Sequence, residues 1–198
     1  MTGSNRLSAA DLARVAAFAG LVAALSLPGP FYLFGSSVPV TLQTLGVMLC
    51  GLLLGARLGA LAVLVYLAIG AAGVPVFAGG AAGLAPFAGP TAGYLAAFPI
   101  GAFVIGLIAR PDRGFHPARG FLAAVVGGIV VVYAIGVPVL AWRAGLDLPT
   151  ALRTGALIFL PGDLLKAVLA TVVAAGVHRA YPALGRDDHR HEAAATRT

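Results

Sequence analysis

Long apolar runs, broken by short polar or glycine- and proline-rich intervals, set the pattern of this chain. A helix that crosses a bilayer needs about 20 mostly apolar residues, and about 17 can suffice. Residues 10–27 supply a first such run, with Asp11 near its start. Residues 45–72 are too long for one span and read as two short helices broken at Gly55-Ala56-Arg57. A fourth helix is expected over residues 89–108, a fifth over 120–142 with Pro138 as a kink near its end, and a sixth over 150–177. The pattern predicts an all-α membrane protein, a bundle of about six transmembrane helices. Residues 1–182 form a single integral domain, and residues 183–198 a polar, disordered tail.

Between the third and fourth helices the alternation stops. Residues 73–103 read GVPVFAGGAAGLAPFAGPTAGYLAAFPIGAF, with no charge and ten interruptions by glycine or proline before and at Pro99. Glycine admits positive φ and proline removes a donor, so regular helix is not expected here. Irregular backbone in an apolar setting is tolerated where protein buries it or where it lines a cavity. The stretch is either a surface connector or the wall and lid of a small-molecule pocket. The second reading gives a Gly/Pro-rich external loop over a binding pocket. Upstream, SSVPVTLQTLG (36–46) alternates like a strand, but Pro39 favours a lead-in to the second helix.

Composition agrees with a polytopic membrane protein: charged residues make up 10% of the chain, against about 25% in ordinary soluble domains. The net charge of +6 resides mostly outside the apolar runs and is not interleaved with stacking aromatics, so no nucleic-acid partner is expected. The first apolar run resembles a secretory signal, but Pro28-Gly29-Pro30 and the membrane-like chain beyond favour an uncleaved helix. With six spans both termini lie on one side. That side would carry Arg6, Arg14, Arg57, Arg110, Arg113, Arg119 and the four arginines after His178, the other only Arg143 and Arg153. The positive-inside rule then makes both termini cytoplasmic in a cell (plasma) membrane. It places segment 28–44, the glycine stretch and the 143–150 loop together outside.

The chemistry is sparse. The sixth helix carries PGDLLK, in which Asp163 is the only acid deep within a span and Lys166 the only lysine of the chain. Three residues apart, they share a helix face, and an intramembrane ionisable pair is a functional hypothesis by default. The pair is either self-neutralising or the polar centre of a pocket in which Asp163 accepts from N–H donors. Gln43, the only glutamine, can donate and accept; it suits recognition of a neutral polar group or simply an interface with water. Ala9, Ala13, Ala16, Ala17 and Gly20 put small side chains along the first helix, as in close helix–helix approach within the chain or with another subunit. Cys50 stands alone, so it forms no intrachain disulfide. No histidine pair has metal-ligand spacing within a span, no GxxxxGK[ST] loop occurs, and no Ser–His–Asp set is plausible. The chain is expected not to be an enzyme and to need no metal or cofactor.

Two stretches, VPVTLQTLGVMLCGLLLGARLGALAVLVYLAIGAAGVPVF and GPTAGYLAAFPIGAF, together with PGDLLK, resemble the BioY family. Those proteins are the biotin-specific substrate-capture (S) components of energy-coupling factor (ECF) transporters. The resemblance spans roughly residues 10–180. Ala92 departs from it, standing where glycine is expected, and AAGLAPFAG (81–89) has fewer polar side chains than usual. It implies a six-helix bundle, high-affinity capture of biotin from outside, and partnership with a transmembrane coupling (T) subunit and two ATP-binding subunits. The small-residue face of the first helix would dock on the coupling subunit. Asp163 would take ureido N–H groups, with Lys166 supporting it or reaching other polar atoms, and Thr91, Tyr94 and Gln43 would add polar contacts. Phe31, Phe77 and Tyr66 would form apolar walls, and backbone N–H groups from Gly89 to Thr91 would receive the carboxylate. Alternatives are an S component for another vitamin and a stand-alone proton-coupled carrier.

Overall fold

The computed structural model describes residues 7–28, 31–32 and 39–181. Five helices among them are long and apolar enough to cross a membrane. They are labelled α1 (Ala9–Ser26), α2 (Gln43–Ala71), α3 (Ala92–Ala109), α4 (Pro117–Ala144) and α5 (Leu148–Ala180). A two-residue antiparallel ribbon, Phe31–Tyr32 with Pro39–Val40, precedes α2. The side chain of Phe31 and the tail 183–198 lie outside the described residues.

Helix α1 begins in a capping box. The Asp11 amide donates to Ser8 Oγ at 3.1 Å, and the Ser8 amide donates back to the Asp11 carboxylate at 3.1 Å. Two amides left orphaned at a helix start are thereby satisfied. Val15, Ala19, Val22 and Ser26, spaced by four, three and four, form the buried stripe of α1. That stripe rests on α2, where a Cβ at Gly46 would stand 3.1 Å from the Val22 Cα.

Helix α2 is continuous by hydrogen bonding but breaks at Gly55, whose φ of 77° belongs to the left-handed region. Its two arms are the two short helices expected at Gly55-Ala56-Arg57, so six long helical segments are present among the described residues. The break frees carbonyls, and His178 Nε2 lies 3.0 Å from the Leu52 oxygen. A carbonyl can only accept, so the imidazole donates and ties the end of α5 to the break. Helix α3 crosses at the same place: a Cβ on Gly106 would overlap the backbone of Gly55 and Ala56. The carbonyl end of α3 is closed by Arg119 of α4, whose guanidinium donates to the carbonyls of Ala109 and Gly114, each at 2.9 Å.

Helices α4 and α5 exceed the expected lengths and each contains a π-helical segment, Val126–Val131 and Arg153–Leu157. Neither was foreseen. The fourth helix expected over 89–108 is present from Ala92 onward, so the irregular stretch ends there and does not run to residue 103. Once the backbone leaves Thr91, an apolar run with Pro99 inside can still bury itself against α2 and α4. Large apolar residues of α5, among them Leu165, Val168, Leu169 and Val172, are exposed, as a lipid-facing surface requires.

Candidate ligand-binding site

Residues 73–91 fold over the open end of the bundle as a packed lid. Positive φ at Gly73, Gly79, Gly80 and Gly83 lets the backbone reverse repeatedly. The lid is anchored by Phe77, 2% exposed, which fills the space left by Gly70 of α2. Its ring meets Tyr66 and Phe87 edge-on, each with centroids 5.6 Å apart. The Gly83 amide adds a hydrogen bond to the Gly70 carbonyl at 2.8 Å. Opposite, Arg143 near the end of α4 donates to the carbonyl of Ala88 at 3.0 Å, holding the one-turn helix Ala85–Ala88.

Below the lid is a cavity of about 600 Å³, within the range of roughly 300–1,000 Å³ typical of small-molecule sites. Its walls are mainly apolar, with Phe77, Leu95, Phe98, Val132, Leu140 and Phe159 contributing. The polar groups converge on Asp163 and Lys166, which are 3% and 5% exposed. Lys166 Nζ donates to Asp163 Oδ1 at 2.7 Å and to Thr44 Oγ1 at 3.0 Å. Thr44 in turn donates to Asp163 Oδ1 at 3.0 Å, and Tyr133 donates to Asp163 Oδ2 at 2.5 Å. The carboxylate is thus held by one ammonium and two hydroxyls, the partners that a buried charge needs.

Of the residues expected from sequence, Asp163, Lys166, Gln43, Thr91, Tyr94 and Phe77 do line this cavity. Tyr66 does not belong to its wall as expected. It is 1% exposed and lies behind the wall, because its hydroxyl is drawn into bonds with Gln43, Ser26 and the Val76 carbonyl. Gly89 also falls outside the wall: its carbonyl accepts from the Ala92 amide at 3.2 Å as the chain turns into α3. The amide of Tyr94 is likewise spent, on the Thr91 carbonyl at 3.0 Å. The start of α3 therefore offers fewer free donors than a bare helix terminus. Ala92, the departure noted in the sequence, simply opens this helix.

Two functional candidates were missed. Tyr133 was not singled out, although a phenol in an otherwise apolar run carried the signal. Thr44 was not singled out either, since nothing local distinguishes it from Thr41. Ala9, Ala13, Ala16, Ala17 and Gly20 are all exposed, and nothing approaches a Cβ placed on Gly20 within 4 Å. They do not serve packing within the chain.

The sequence profile of the BioY family matches residues 1–183. The chain belongs to the BioY family. The "Biotin transporter BioY" of Rhizobium etli is 46% identical over 184 residues, which cover 90% of this chain and 98% of that relative. The "Probable biotin transporter BioY" of Bacillus subtilis is 38% identical over 170 residues, 86% of this chain and 91% of the relative. The fold is similar to a crystal structure of the S-component for biotin from an ECF-type ABC transporter. The TM-score is 0.79 at 28% identity, covering 90% of this chain and 95% of that one. An all-helical bundle with a lid of irregular backbone is thus the BioY fold of this chain.

Proposed function

We propose that this chain captures biotin with high affinity and serves its uptake as the substrate-binding subunit of an ATP-driven ECF transporter. The observation that carries the reading is the hydrogen-bonding character of the cavity. The Tyr133 proton is committed to Asp163, the Tyr94 proton to the Gly155 carbonyl at 2.7 Å, and the Thr154 proton to the Thr150 carbonyl at 2.8 Å. Each of these oxygens is left to accept. Together with the Asp163 carboxylate they favour a ligand rich in N–H donors. Lys166 has three donors and spends two, so one remains for a ligand carbonyl. A ureido ring presents two N–H groups and one carbonyl, and biotin's fused rings and valeryl chain suit the apolar walls.

The membrane setting and the small-residue face of α1 support the rest. Ala9, Ala13, Ala16, Ala17 and Gly20 form an exposed strip on which a transmembrane coupling subunit can seat closely. Two ATP-binding subunits would supply the energy. The lid faces outward and both termini face the cytoplasm, in keeping with the arginine distribution.

The test is equilibrium binding by the purified chain in detergent, with labelled biotin challenged by excess biotin, thiamine or riboflavin. Biotin alone should bind and compete. Folded protein that binds no biotin at micromolar ligand, or that prefers another vitamin, refutes the assignment.

A further inference from the structure

Tyr66 is the buried junction of three elements, and its single proton imposes a direction on everything it touches. Ser26 of α1 spends its own proton on the Val22 carbonyl at 2.7 Å and lies 3.1 Å from the Tyr66 oxygen. The Val76 carbonyl of the lid, 3.2 Å away, can only accept. The phenolic proton is therefore shared between the Ser26 oxygen and the Val76 carbonyl, and none is left for Gln43. Toward Gln43, 2.8 Å away, the Tyr66 oxygen can only accept. The end of the Gln43 amide that meets Tyr66 must then be the NH₂ group, and the amide carbonyl is turned the other way. Gln43 is 5% exposed and lines the cavity, one residue before Thr44 of the Asp163 centre.

We propose that Tyr66 is a positioning residue for ligand specificity. Its hydroxyl locks the Gln43 amide so that the carbonyl oxygen faces the cavity and accepts from a ligand N–H. An amide rotated by half a turn would present donors instead, and a donor-rich ligand would meet a donor-rich wall. Burial makes the choice consequential, because an unmatched polar contact in a dry site costs more than the same contact in water. The inference rests on the biotin reading and assigns one ureido N–H to Gln43, beyond the group that faces Asp163.

The experiment is calorimetric titration in detergent with biotin and with its two singly N-methylated ureido analogues. The proteins are the unmodified chain, Tyr66→Phe, Gln43→Ala and the double variant. Tyr66→Phe should weaken biotin binding about tenfold, as for a mispositioned hydrogen bond. It should also shrink the preference for biotin over one of the methylated analogues. In the Gln43→Ala background the same substitution should change nothing further. An equal loss in both backgrounds, or no loss at all, overturns the role of Tyr66 while tight binding by the unmodified chain preserves the biotin reading. Gln43→Ala keeps the test decisive if Tyr66→Phe does not fold: undiminished discrimination against both analogues in that variant overturns the inference. An unmodified chain that binds no biotin overturns both.

Discussion

Removing one charge from the Asp163–Lys166 pair separates two roles that the pair could play. Lys166→Met leaves a carboxylate that is 3% exposed with only the Thr44 and Tyr133 hydroxyls as donors. Breaking a buried pair by removing one partner costs about 3–5 kcal/mol. The two remaining hydroxyls place the expected loss near the lower end, about 3 kcal/mol. Asp163→Asn strands the ammonium and should cost a similar amount. The double variant Asp163→Asn/Lys166→Met carries no charge to strand, so its loss should fall to about 1 kcal/mol or less. Unfolding of the ligand-free chain in detergent measures these values, and biotin titration on the same samples measures affinity. A pair that only neutralises itself would recover binding together with stability in the double variant. A carboxylate that receives ureido N–H groups would not: binding should stay weaker by about 1.5–3 kcal/mol, roughly ten- to a hundredfold. Wild-type affinity in the double variant would refute the role given to Asp163. Single variants as stable as the parent would refute the reasoning from burial.

Three further outcomes are expected. Gly106→Ala should cost about 1–3 kcal/mol in detergent unfolding, because its Cβ meets the backbone of Gly55 and Ala56, which cannot rotate aside; unchanged stability would contradict that close crossing. Ala13→Trp should leave biotin affinity unchanged and abolish copurification with the coupling subunit and ATP-driven uptake, since Ala13 is exposed; uptake that persists would remove the α1 face from assembly. Arg143→Ala frees the Ala88 carbonyl and with it the one-turn helix that carries Pro86 over the cavity. Biotin dissociation should then accelerate several-fold with little change in association, and an unaltered off-rate in stopped-flow exchange would refute the latch.

Much of this architecture was legible because a bilayer imposes it. Apolar runs of spanning length read as helices, and residues 45–72 were too long for one span, so a break at Gly55-Ala56-Arg57 followed from length and pattern. Asp163 and Lys166 stood out because charge is scarce in such runs. The glycine stretch left a connector and a lid both open, and Phe77 entered as a wall only through the family resemblance. Residues 92–103 carried two readings, the end of the irregular stretch and the start of the fourth helix expected over 89–108; the helix is what forms, because the glycines there serve close helix contact, as at Gly93 and Gly101 against α4. Tyr66 was placed in the wall because a mid-helix tyrosine signals a polar tip without saying where it points. Its direction was decided by Ser26 and Val76, which are distant in sequence.

The least legible features are the two π-helical segments, and one of them bears directly on recognition. In Arg153–Leu157 the added residue per turn disturbs the regular ladder of carbonyls. Gly155 lies in that segment, and its carbonyl accepts from Tyr94 of α3 at 2.7 Å. The absence of a side chain is what permits the approach, because a Cβ there would overlap the Tyr94 hydroxyl. A backbone irregularity on α5 therefore takes the proton of a phenol on α3 and converts its oxygen into an acceptor. Asp163 does the same to Tyr133 from the following helical stretch. One helix, through a displaced carbonyl and a carboxylate eight residues apart, sets the polarity of two tyrosines on two other helices. The donor preference of the cavity is thus a property of how α3, α4 and α5 meet.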